Sequence, residues 1–162
     1  MVCGLTDLAG AMVRPRWQPC PPKMPDARMP WCAFGIINQS SPGYTAWHDR
    51  GVIHVQTDER LVVLFSFYGP GALSLARALR DGLYVEQNRA MLRQGANLAL
   101  VSAGDIVAAP ELVNMKWIRR QDIQITFVRG PLRAEGSRPE EGRTDIRDLL
   151  GVDASGLCGR TR

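Results

Sequence analysis

Hydrophobic positions along this chain fall into a few distinct patterns. LVVLFSFY (61–68) is apolar nearly throughout, which predicts a central strand covered on both faces. VIHVQT (52–57) precedes it, and the intervening TDER suits an antiparallel hairpin closed around Asp58 and Glu59. WCAFGII (31–37) is a short apolar strand, whereas INQSSPGYTAWHDRG after it has the Ser, Gly and Asn content of a loop. In ALSLARALRDGL (72–83), Ala72, Leu75, Ala76, Leu79 and Leu83 share one helical face, with Ser74, Arg77 and Asp81 opposite. Gly69-Pro70-Gly71 marks the change from strand to helix, with Pro70 near the first turn, and Gly82 weakens or bends the helix. A second helix, VEQNRAMLRQG, ends at Gly95, a natural left-handed C′ residue. LALVSAGDIV (98–107) is a strand with an irregularity at Gly104. MKWIRRQDIQITFV (115–128) alternates, with Trp117, Ile123, Ile125 and Phe127 on one parity, which predicts one half-buried strand.

Strand, hairpin, helices, strand, strand is the order of an α+β layer. The expected fold is a mostly antiparallel sheet with two helices packed on one face and a proline-rich extended N-terminal arm. The arm takes residues 1–30 and the core domain 31–128. Residues 129–162 form a flexible C-terminal segment in which GPLRAEGSRPEEGRT is a loop and DIRDLL a short helix.

The arm is the least ordinary part of the chain. RPRWQPCPPKMP (14–25) holds five of the eleven prolines. Proline excludes helix interiors and central strands, so the segment is polyproline-like and needs a surface to lie on. Two surfaces compete. Trp17 and Trp31 pin the arm to its own domain, or the arm wraps a neighbouring subunit through aromatic and arginine anchors.

Composition narrows the function classes. The 162 residues suffice for one core. No apolar run approaches the roughly 20 residues that span a bilayer, and the N-terminus lacks the pattern of a secretion signal. Cys3, Cys20, Cys32 and Cys158 show no CxxC spacing, so they are expected to be reduced thiols and not metal ligands. The net charge of +4 is modest. Basic residues are dispersed apart from Arg14, Arg16, Lys23 and Arg28 on the arm and the cluster Lys116, Arg119 and Arg120.

No catalytic constellation emerges. His48 and His54 are the only histidines; His48 next to Asp49 is an acid–base pair without a third partner, and His54 lies within an alternating strand. GxSxG is absent. YGPGA lacks the Gly-Lys-Ser/Thr ending of a phosphate loop and serves to start a helix. The expectation is a non-enzyme without cofactor.

Taken together, VRPRWQPCPPKMP, WCAFGI, FSFYGPGA, LRDGLYVEQNRAML and PELVNMKWIRRQDI resemble the phage neck (tail) terminator family, over roughly residues 4 to 128 and in the same order. From about Arg129 the chain does not continue the expected pattern. The resemblance implies a virion structural protein that assembles into a ring, a hexamer, capping the tail tube and receiving the head connector proteins. DNA passes through the lumen without sequence specificity, and assembly takes place in the host cytoplasm. The matching segments Arg14–Pro25, Phe65–Gly71, Gln87–Asn88 and Trp117–Asp122 are then structural or interface determinants. Arg14, Arg16, Trp17, Gln18, Lys23, Arg119, Arg120 and Asp122 are the subunit-interface candidates. The alternative is a basic nucleic-acid-binding module acting through the arm and the 116–120 cluster.

Overall fold

The computed structural model describes residues 1–134 apart from 21–22, 27, 50–51 and 114. The elements run α1 (Val2–Thr6), a 3-10 turn (Gly10–Met12), β1 (Val13–Pro15), β2 (Trp31–Asp49), β3 (Val52–Tyr68), α2 (Ala72–Leu83) and α3 (Glu86–Ala96). They continue with β4 (Ala99–Ala108), β5 (Glu111–Val113), β6 (Lys116–Ile118), β7 (Arg120–Arg129) and β8 (Leu132–Ala134). The main sheet has the order β1-β2-β3-β7-β4, and β8 adds to β3. All pairings are antiparallel except β1 with β2. This is the expected α+β architecture.

One face of the sheet carries the core. Leu61, Val63, Phe65 and Phe67 of β3 and Ile123, Ile125 and Phe127 of β7 pack with Ala72, Ala76, Leu79 and Leu83 of α2. The helical face expected for α2 is thus the buried one, with Leu75 partly buried beside it. The alternate residues Val62 and Leu64 are only half-buried, so β3 is fully covered on one face and not on both. A two-residue period puts the odd positions against the helices and leaves the even ones on the outer face.

Several expectations are corrected. Residues 1–15, assigned to the arm, belong to the domain: Val2, Leu8 and Val13 are in the core, and α1 packs on α2. Helix α2 runs on to Leu83, with Gly82 inside it. A Cβ there would lie 2.9 Å from Leu5 Cδ2, so glycine makes room for α1. Pro70 lies just before the N-cap Gly71 (φ 73°), next to the first turn of α2 as expected. Helix α3 passes Gly95 and closes on Asn97, whose φ of 49° gives the left-handed cap. β4 does have a register shift at Gly104-Asp105, and a second one at Val101.

The largest departure is the hairpin. Asp58 and Glu59 lie inside β3, not at a turn, and the predicted loop 38–49 is strand paired with Val52–Val62. Bulges at Ile37 and Ser41-Pro42 interrupt the pairing, and Pro42 sits where a bulge removes the need for its donor. The 115–128 strand is divided: Lys116–Ile118 pairs with β5 in a separate two-stranded sheet, and β7 begins at Arg120. Leu132–Ala134, expected in a loop, pairs with His54–Gln56. The helix expected at DIRDLL lies outside the described residues.

Candidate assembly surface

The interface candidates from the arm and from 119–122 lie 100 residues apart in sequence, yet the fold brings them to one end of the sheet. Beyond β1, the Arg16 amide donates to Phe34 O at 2.7 Å, which lays the start of the arm along β2. The Arg16 guanidinium donates to Ser66 Oγ, and Ser66 Oγ donates to Asp122 Oδ1 at 2.5 Å. Arg120 grips the same carboxylate with two donors, at 2.8 and 2.7 Å. It also reaches Glu111 at 3.3 Å and lies 5.8 Å from the centre of the Tyr68 ring. Tyr68 in turn stacks on Trp31 at 4.1 Å and 6°.

These side chains share the outer face because Ser66, Tyr68, Arg120 and Asp122 occupy even positions on neighbouring strands. Burial alone pushes the Asp122 carboxyl up, but hydrogen bonds from Arg120 and Ser66 outweigh it, and the group is held below the usual carboxylate range. Burial likewise pushes the Tyr68 hydroxyl up. On the core face, complete burial pushes the Cys32 thiol up, and Cys3 and Cys32 are not bridged. Cys158 lies outside the described residues.

The arm is a strap folded back on itself. Arg14 donates to Ala11 O at 3.0 Å and to Lys23 O at 2.8 Å, and Gln18 Nε2 donates to Pro15 O at 2.9 Å. Trp17 has a φ of 54°, uncommon for a bulky residue. Its indole lies over Gly35, where a Cβ would sit 2.6 Å from the ring. Trp17 is still 68% exposed. Between strap and sheet is an open cleft of about 260 Å³ lined by Arg14, Arg16, Trp17, Met24, Trp31 and Tyr68. The strap returns to the sheet where Met29 O meets Gly69, whose φ of 84° leaves no room for a Cβ. The Gly69 amide donates to Arg119 O at 3.1 Å.

Arg119 and Lys23 expose their side chains. The β5–β6 hairpin beside them displays Leu112, Met115 and Trp117. Gln87 is exposed on α3, whereas Asn88 Nδ2 donates to Gly82 O at 2.7 Å and locks α3 to the end of α2. Sequence reasoning did not pair Ser66 with Asp122, nor Trp31 with Tyr68; the available signal was polar residues recurring at even positions of otherwise apolar strands. The two histidines do not converge. His48 pairs across the hairpin with Ile53 and His54 with Trp47, which places them on opposite faces. Among the described residues no cluster of His, Cys, Asp or Glu is able to hold a metal ion.

This end of the molecule offers exposed aromatic and methionine side chains around a partly buried ionic network, which suits binding to other proteins. No helix among the described residues is long and apolar enough to cross a membrane. No curated protein matches the chain. The family model described as phage neck terminator protein matches residues 1–155, taking in the sequence beyond Arg129 that had not shown the pattern. The chain therefore belongs to the phage neck terminator family, structural proteins of the virion neck.

Proposed function

We propose that this protein assembles as a ring of identical copies, a hexamer, that caps the tail tube and receives the head connector proteins, with DNA crossing its lumen without sequence specificity. Family membership supplies the frame. The observation that carries the reading is the convergence of the strap and the β5–β6 hairpin at one sheet end, with Trp17, Met24, Met29, Leu112, Met115 and Trp117 all exposed. Aromatic residues and methionine are enriched at protein interfaces. A closed ring needs one surface on each copy to complement a different surface on the next, and this end is a candidate for one of them. Arg14, Arg16, Trp17, Gln18, Lys23, Arg119, Arg120 and Asp122 act there, some by contact and Arg16, Arg120 and Asp122 by holding the strap in place. The test is negative-stain imaging of the protein alone and mixed with tail tubes. Six-fold rings or capped tubes are expected; monomers beside bare tubes would overturn the reading.

The nucleic-acid-binding alternative draws on the same end. It is weakened because Arg120 is committed to Asp122 and Glu111, and Arg14 to backbone carbonyls. Dedicated binding would weaken steeply with salt, and no retention of DNA at low salt would dismiss it.

A further inference from the structure

We infer that the distal half of the β2–β3 hairpin is a second assembly element, which lies across the outer sheet face of a neighbouring copy. The inference rests on the ring reading above and names the contact that reading lacks.

Three observations carry it. First, the hairpin outruns its own domain. β1 covers β2 only as far as Phe34, and β7 leaves β3 at Glu59. Beyond these points, among the described residues, the ribbon is flanked only by the three residues of β8, on the β3 side. A ribbon of this kind is marginal alone in water. Past the end of β7 it projects from Gly43 to Asp49, seven residues, about 24 Å at ~3.4 Å per residue.

Second, the ribbon carries little charge to keep other chains away, with only Asp49 near its tip and Asp58 at its base among its described residues. None of residues 37–48 or 52–57 is Asp, Glu, Lys or Arg, in a chain that is 22% charged. Exposed edges are ordinarily blunted by charge or bulges. Here the seven residues from Gly43 to Asp49 keep a regular register, no strand among the described residues pairs with their outer edge, and Tyr44 and Trp47 are exposed on them.

Third, a matching surface exists on the same molecule. Past Gly35 the strap no longer covers the outer face, and Asn38, Val62, Leu64, Ser102, Gln124 and Thr126 lie side by side in register there. Every one of them is uncharged, and each is half-buried or exposed among the described residues. Apart from the exposed Arg60 at the margin of the face, the two surfaces are of mixed polar and apolar character and meet without burying a charge at their centre. The chain's own residues 135–162 suit that face poorly, being rich in Asp, Glu and Arg. A second copy's ribbon fits it. Ribbon on one copy and face on the next make a heterologous contact, the kind that closes a ring.

The test places a charge on each surface of the full chain. Ala46→Glu lies on the ribbon and Thr126→Lys on the face. Each variant should weaken self-association roughly tenfold or more by sedimentation velocity, with an unchanged melting temperature. Thr45→Lys serves as a second ribbon variant should Ala46→Glu fold poorly. The double variant Ala46→Glu with Thr126→Lys should regain part of the loss, as expected of facing charges. Rings that survive both single substitutions overturn this inference and leave the ring reading standing. A loss of melting temperature in Thr126→Lys with rings intact also overturns it, since the face would then be covered by the chain itself. A wild-type chain that stays monomeric, with or without tail tubes, overturns the ring reading and this inference together.

Discussion

The two halves of the β2–β3 hairpin are built from the same strands and the same pairing, but different forces hold them. In the root, Cys32, Phe34, Val63, Phe65 and Phe67 are fully buried beneath the helices, while the strap covers Ala33 and Gly35 from the other side. In the distal half no described residue from Ile37 to Asp58 reaches the core. There the strands are held by their ladder and by cross-strand pairs such as Trp47 on His54, whose rings lie 5.5 Å apart. The root is fixed by burial, worth about 1.5–3 kcal/mol for each large apolar side chain. The distal pairs contribute about 0.2–1 kcal/mol each. One continuous element therefore combines a base fixed by burial with an extension held by strand pairing.

The sharpest way to break this comparison is Phe65→Ala against Val55→Ala in urea unfolding. The root variant should lose about 3–5 kcal/mol, and the distal one within about 1 kcal/mol; similar losses would mean the two halves are held alike. Next in size is Leu64→Asp. On the half-buried outer face it should cost about 1–3 kcal/mol and still fold, whereas Phe65→Asp should not yield folded protein; circular dichroism separates the two.

A smaller effect concerns pH. Asp122 titrates below its ordinary range, so its ionic network stabilises the root fully above the unfolded carboxyl value of about 3.9. That contribution is lost as pH falls through the lowered native value. The melting temperature should stay level with respect to this group from pH 7 to about 4 and drop below, and Asp122→Asn should shrink the drop. Smallest in stability is Trp17→Ala, within about 0.5 kcal/mol for so exposed a side chain. It should instead weaken subunit association, and equal stability loss in a forced monomer would contradict its interface role. Hydrogen exchange sharpens the same contrast, with amides of residues 53–58 exchanging sooner than those of 61–68.

What the sequence revealed follows the same division. The root and α2 were legible because burial imposes a period: Leu61, Val63, Phe65 and Phe67 at every second residue, Ala72, Ala76, Leu79 and Leu83 at helical spacing. The distal strand was not, since Asn38 to Ser41 and Gly43 face solvent or lie near it and carry no apolar alternation. Partner-strand pairing makes that stretch a strand, and pairing leaves no mark on composition. The break before β7 was hidden for a different reason. Trp117 continues the parity of Ile123, yet a hydrogen bond from the Gly69 amide to Arg119 O fixes the chain there. Of the candidate site, the arm and the 119–122 segment were found separately. Their union through Ser66 depends on which strands become neighbours, which no local window contains.

The strap is moored at both feet, at Arg16 on β2 and at Met29 beneath Gly69. Such a tether bows outward but cannot be cast like a free tail. Its span limits it to whatever abuts the same sheet end, and any copy it touches must already stand alongside. In the ring proposed above, recruitment over distance would fall to the ribbon, and the strap would meet only a copy already alongside.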